Sequence, residues 1–378
     1  MFRKKLFGVL FTLCAGITTL AGSEFQVRFT QNNPFPDPKK MDRAWEFADT
    51  ATALVLDGKN AVETFSTDCS MLFDNTNLYI SMFARIRPNQ YIASKAERAV
   101  NSMTLSLAPA GKDGDIYTFV IPMNGKFKAE KRAGNTVSSF GDAKVQVRND
   151  WSYWRAMLTI PLASLGVKVA ESENAAISFN FSRHNVDVPL TSGEKSSFAQ
   201  EDPALWQKAM LTRNAGKPAF VSGAAQRSAE LIPNNSFDIA HKGIVSGWYF
   251  VNKKDVAYKS VTDKQGQKRN VMNCFGKSYQ AFTAAPIMTE GKTYILRVTA
   301  RKSGNGGAFG IIALLYDPAS KTQTQGKTIA WKTPLTDEFK NYEFEYKAEK
   351  GAKYFSFYRF GAEGSCVEYD SVSLIEKK

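Results

Sequence analysis

The chain has 378 residues, 43% of them apolar, and a formal net charge of +13. That apolar share supports packed cores and excludes a disordered chain. Lys and Arg are scattered, the densest cluster being residues 128–132 (KAEKR), so the charge reads as a solvated face and, in an exported chain, excludes nucleic acid as partner.

Residues 1–23 predict an export signal. Arg3, Lys4 and Lys5 precede an apolar run at 6–22 that is too short, and ends in residues too small, for a membrane anchor. Ala21 and Ser23 fit the cleavage rule, which puts the mature start near Glu24 and lowers the charge from +13 to +10. Lipidation at Cys14 stays open, although Leu13 stands where lipoprotein signals want a small residue. No later segment is apolar enough to span a bilayer, so a secreted, periplasmic or cell-surface protein is expected. At ~100–200 residues per domain, the mature chain predicts two domains.

Residues 24–40 carry Pro34, Pro36 and Pro38 and predict an extended opening segment. Residues 41–56 fit either a helical turn or a strand. From Val62 onward the pattern is β: alternating runs at 78–86, 101–110, 116–123, 144–150, 153–162 and 176–184, with Asn124-Gly125 as a hairpin signal. Residues 213–229, rich in Gly, Ala, Ser and Pro, read as a linker. Short strands then resume to residue 374. The expected architecture is all-β, with two β-sandwich (jelly-roll-like) domains in tandem over 24–212 and 230–378.

The chemistry-bearing residues are sparse. His184 and His241 are the two histidines, they fall in different halves, and no G-x-S-x-G elbow occurs. The Gly-rich run at 303–310 lacks the Lys-Ser/Thr of a phosphate loop and reads as a hairpin. No CxxC or Cys/His cluster exists, which excludes zinc. Cys274 and Cys366 are the pair to consider for a disulfide, with Cys69 a buried apolar residue. A non-catalytic protein is expected.

Aromatic residues are the alternative resource, because rings stack on the C–H faces of sugars while planar polar side chains hold the hydroxyls. In the first half, Trp151 and Tyr153 share one strand face and Trp154 points into the core. Trp206 follows Asp202-Pro203 in a loop. A turn at 182–185 (SRHN) presents Arg183 and Asn185 beyond a strand. In the second half Tyr279 and Trp331 are candidates, and Trp248 is expected in the core.

Two resemblances sharpen this. Residues 72–80 (LFDNTNLYI), Trp154, Ile160-Pro161-Leu162, Leu165-Gly166, and 177–181 with Arg183 resemble carbohydrate-binding modules of family 9, within the DOMON-like sandwiches, over about 40–212. Residues 234–238 (NNSFD), Gly247-Trp248, Gly291 with Tyr294, and Tyr369-Asp370 with Val372 resemble galactose-binding-like jelly rolls such as families 4 and 22, over about 230–376. Asn235 and Asp238 stand where that family has Gly and Glu. The resemblance implies polysaccharide or oligosaccharide as partner, and a structural calcium with Asp238 and Asp370 as ligands, chemically suited because a hard cation takes carboxylate oxygens. It also brings in haem, held in some DOMON-like relatives by Met and His; here Met82 or Met103 with His184 would be the pair. A protein-contacting adhesion or assembly role is the alternative function.

Overall fold

The computed structural model describes residues 25–35, 42–58, 61–63, 65–86, 100–111, 113–150, 153–170, 174–185, 194–200, 202–227, 230–237, 240–241, 244–245, 248–250, 256–275, 281–283, 288–304, 307–317, 320, 322–362 and 364–377. The signal segment, Cys14, Trp151, Asp238 and Tyr279 lie outside them.

The protein is all-β. In the N-terminal half one hydrogen-bonded path runs through eleven strands: Lys144–Asn149, Tyr153–Pro161, Asn77–Arg85, Thr67–Phe73, Phe25–Phe29, Gln207–Thr212, Ala175–Asn185, Ser102–Ala108, Ile116–Pro122, Lys128–Ala133 and Thr136–Ser139. Phe25–Phe29 lies mid-path and runs parallel to both neighbours. The path curls so that its two arms share one core. Ile80, Met82, Trp154 and Ile160 come from one arm, and Leu105, Phe119, Phe179 and Phe181 from the other. Each set occupies alternate positions of its strand, which is what a pleated strand with one buried face requires. Trp154 is fully buried, as its parity predicts.

The C-terminal half is two five-stranded sheets. One runs Trp248–Phe250, Ala281–Thr283, Ala352–Phe360, Ala308–Asp317, Thr322–Pro334; the other Val256–Thr262, Lys268–Cys274, Cys366–Glu376, Thr293–Ser303, Lys340–Lys347. Their inner faces meet in a second core containing Phe237, Trp248, Leu296, Ile311, Phe355, Phe357 and Tyr369. The Gly-rich run at 303–310 passes from the second of these sheets to the first and is therefore not a hairpin within one sheet.

Residues 41–56 resolve into both of their alternatives: a 3-10 turn at Arg43–Phe47, capped by the Asp42 side chain, then strands Thr50–Thr52 and Val55–Leu56. The segment expected as linker carries structure. Phe220–Ser222 pairs in parallel with Thr50–Thr52, the Ala224 N–H donates to the Ala53 carbonyl at 3.0 Å, and Ala224 joins Val55 and Val62 against the second core. Glu230 then clasps the start of the C-terminal half to its last strand. Its carboxylate accepts the N–H of Ile232 at 2.8 Å and of Leu374 at 2.7 Å, and burial, opposed by these bonds, pushes its pKa up to about 7.

All three cysteines of the described residues are free thiols. Cys274 pairs across the sheet with Val367, so Cys366, one residue earlier, points to the opposite face and cannot meet it. Burial pushes the Cys69 thiol far up.

Candidate functional site

Among the described residues, the largest exposed ring with a built setting is Trp331. It lies 52% exposed on the Thr322–Pro334 edge strand. The strand is irregular there: Phe309 pairs with Thr333 and Ile311 with Ala330, so Trp331 and Lys332 together oppose Gly310. Such a bulge re-aims a side chain, and Lys332 takes φ = 50° to complete it. Ala330 stays buried and Trp331 turns outward.

Two neighbours hold the indole. The Phe360 ring meets it edge-on at 4.7 Å and the Tyr358 ring at 5.9 Å. Both come from Ala352–Phe360, two strands away across the sheet, and Tyr358 pairs with Gly310. Gly310 is what lets the rings close over the sheet: a Cβ there would stand 2.9 Å from Phe360 and 3.2 Å from Trp331. The result is a three-ring platform on the outer face, with inward-facing Phe355 and Phe357 fixing the strand beneath it. The exposed indole offers a flat apolar face, braced by the inclined Phe360 and Tyr358 rings, at low entropy cost to a ligand that stacks on it. The sequence singled out Trp331. It held no local signal for Phe360, Tyr358 or Gly310, whose approach is set by long-range register.

Arg183 and Asn185 are corrected by the structure. Ala175–Asn185 continues as strand through the residues expected to turn. Alternation therefore sends Arg183 and Asn185 to the same side as Phe179 and Phe181, and both are 2% exposed. The Arg183 guanidinium donates to the carbonyls of Phe65 at 3.1 Å and Arg85 at 2.7 Å. It also faces Glu63, whose carboxylate takes the Thr67 hydroxyl at 2.7 Å. Burial pushes the Glu63 pKa well up, with Arg183 opposing. This is a strut inside the sandwich, out of a ligand's reach.

Tyr153 lies on the outer face of the first arm, its ring 5.0 Å from Phe83, over which Arg155 also sits at 5.2 Å. Trp206 closes the 3-10 turn Pro203–Leu205 and packs, half-buried, against the first core. Trp248 and Arg359 are buried.

The haem pair does not assemble. Met82 and Met103 are sealed in the core, whereas His184 lies on the other face of its strand from Arg183, whose partner is Met103. The calcium ligands fare similarly where they can be followed. The Asp370 carboxylate accepts from the Arg269 guanidinium at 2.9 Å, and the same guanidinium also bonds Asp263 at 2.8 Å, so Asp370 is engaged within the fold, while Asp238 lies outside the described residues. Among the described residues no three His, Cys, Asp or Glu side chains come together as a metal site.

No family model matches the chain, and no curated protein does. Solved structures of both families that the sequence resembles are similar to it at low scores. A family 9 carbohydrate-binding module from Caldicellulosiruptor kristjanssonii in complex with glucose is 11% identical, covering 51% of this chain and 98% of its own, at a TM-score of 0.38. A putative carbohydrate-binding protein from Bacteroides uniformis is 12% identical, covering 51% and 100%, at 0.39. A family 22 xylan-binding domain from Paenibacillus barcinonensis is 11% identical, covering 38% and 92%, at 0.30.

Proposed function

We propose that this is an exported, non-catalytic protein that binds carbohydrate by stacking sugar rings on aromatic side chains. The single observation that carries the reading is the Trp331 platform: a large ring, half in water, braced by Phe360 and Tyr358 over a glycine that makes room for them. Burying such a surface in the protein itself would be the ordinary outcome for an indole. Here a bulge and a left-handed Lys332 turn it outward.

The non-catalytic part of the reading is supported by what the buried acids do. Glu63 and Glu230, both with pKa values raised by burial, spend their oxygens on groups within the fold. Neither opens onto a cleft where it could act on a ligand.

Affinity electrophoresis of the full chain in gels containing cellulose derivatives, xylan, mannan or chitosan tests the proposal. Retardation in at least one, lost in Trp331→Ala with an unchanged melting temperature, is the expected result. No retardation in any gel, together with specific capture of a protein ligand, would replace carbohydrate by the adhesion role.

A further inference from the structure

In the N-terminal half, the outer face of the arm that contributes Ile80 and Trp154 holds a recessed groove, formed where the chain at 33–35 folds over the strands Asn77–Arg85, Tyr153–Pro161 and Lys144–Asn149. Its volume is about 320 Å³. That is the lower end of the range for small-ligand sites.

Its apolar side is built from rings. Phe35 stacks on Trp45 at 5.1 Å and 26°, and meets Tyr79 edge-on at 6.0 Å. The pair is anchored: the Asn33 side chain accepts the Phe35 N–H at 2.9 Å, and the Trp45 indole N–H donates to the Pro34 carbonyl at 3.1 Å. The Tyr79 hydroxyl donates to Asp74 at 2.6 Å, so its polar end is committed and its ring forms floor. Met157, 3% exposed, completes that floor.

The opposite side is polar. Register sets Lys144 beside Thr159, whose partner on the far side is Tyr79, and Gln146 beside Met157. Asp142, Lys144 and Gln146 all line the groove and are exposed, and their side chains make no hydrogen bond or ion pair among the described residues. An aromatic wall facing an amide, an acid and a base with open hydrogen-bonding capacity matches a ligand that has one C–H face and an edge of hydroxyls. The one acid and one base cancel, which favours a neutral ligand over a charged one.

We infer that this groove binds a neutral di- or trisaccharide, one face against Phe35 and its hydroxyls toward Gln146, Lys144 and Asp142. The ligand class rests on the carbohydrate reading above; the place does not, since no residue is shared with the Trp331 platform. The two sites suit different ligand shapes, a flat chain on the platform and a short piece in the groove. Held on one chain, they would raise affinity for a polymer offering both.

Met157 gives a reporter that the platform cannot move. The full chain labelled at its methionine methyl groups, with the Met157 resonance assigned through Met157→Leu, is titrated with cellobiose, xylobiose, maltose, mannobiose, chitobiose and the corresponding trisaccharides. At least one should shift the Met157 methyl, equally in wild type and in Trp331→Ala. Gln146→Ala, at an exposed position, should weaken that titration about tenfold, as loss of one hydrogen bond in a weak complex does. Retardation in polysaccharide gels with the Met157 signal unmoved by every sugar overturns the groove and leaves the platform standing. A Met157 shift whose affinity is unchanged in both Gln146→Ala and Phe35→Ala also overturns it. Silence in both assays sinks the groove and the carbohydrate reading together.

Discussion

Replacing Glu230 by Gln should flatten the pH dependence of stability. In the folded protein the Glu230 pKa is raised from 4.5 to about 7, chiefly by burial, in spite of bonds from Leu374, Ser373, Ile232 and Leu231 that favour the charged form. A raised folded-state pKa means that the fold holds this proton more tightly than the unfolded chain does. The stabilisation is fully present below the unfolded value of 4.5 and is lost as pH rises through about 7. At about 1.4 kcal/mol per pH unit, the interval between the two values amounts to roughly 3 kcal/mol. Glutamine keeps the acceptor for the Ile232 and Leu374 N–H groups and cannot ionise. Urea melts of wild type and Glu230→Gln at intervals from pH 4 to 8.5 should therefore diverge: the variant gains on the wild type by roughly 3 kcal/mol over that span. Glu63 titrates in both proteins and cancels in the difference. Parallel curves would refute the reasoning, since they would mean that Glu230 ionises in the fold as easily as in the unfolded chain.

Other outcomes follow from the same contacts. Gly310→Ala should cost roughly 1–3 kcal/mol in urea melts, because the new methyl meets Phe360 and the Ala330 carbonyl, and should reduce retardation in polysaccharide gels by displacing the Trp331 ring. Arg183→Met should destabilise by about 3–5 kcal/mol, since it strands the buried Glu63; adding Glu63→Gln should recover part of the loss in a double-mutant cycle. Chelation with EDTA should leave the melting temperature unchanged, because the Asp370 carboxylate is engaged by Arg269; a drop in the wild type that is absent in Asp370→Asn would show that Asp370 serves a cation. Alkylation of the native protein followed by mass spectrometry should label Cys366 and spare Cys69 and Cys274, both buried.

Many of the strands, their faces and much of the core were legible in the residue order, though Lys128–Ala133 and Thr136–Ser139 were not. Trp154 between Tyr153 and Arg155, and Ile177-Phe179-Phe181, are legible because a pleated strand alternates with period two and water excludes one face. The exposed Trp331 could be suspected, though a mid-strand tryptophan fits core or surface equally. What period two could not reveal was where a strand ends. Two more residues of strand after Phe181 put Arg183 inside, and a turn would have put it outside; pairing with Glu194–Ser197 on one side and Ser102–Ala108 on the other decided the matter, and those are tertiary contacts.

Both candidate sites depend on such contacts. Phe360 reaches Trp331 across an intervening strand, and Phe35 reaches Tyr79 from 44 positions away along the chain. Side-chain periodicity acts over neighbours of a few residues, whereas a binding surface collects groups whose spacing is set by sheet order, bulges and the curl of the path. Local chemistry was therefore written in the order of the residues, and the assembly of that chemistry into surfaces belonged to the folded state alone.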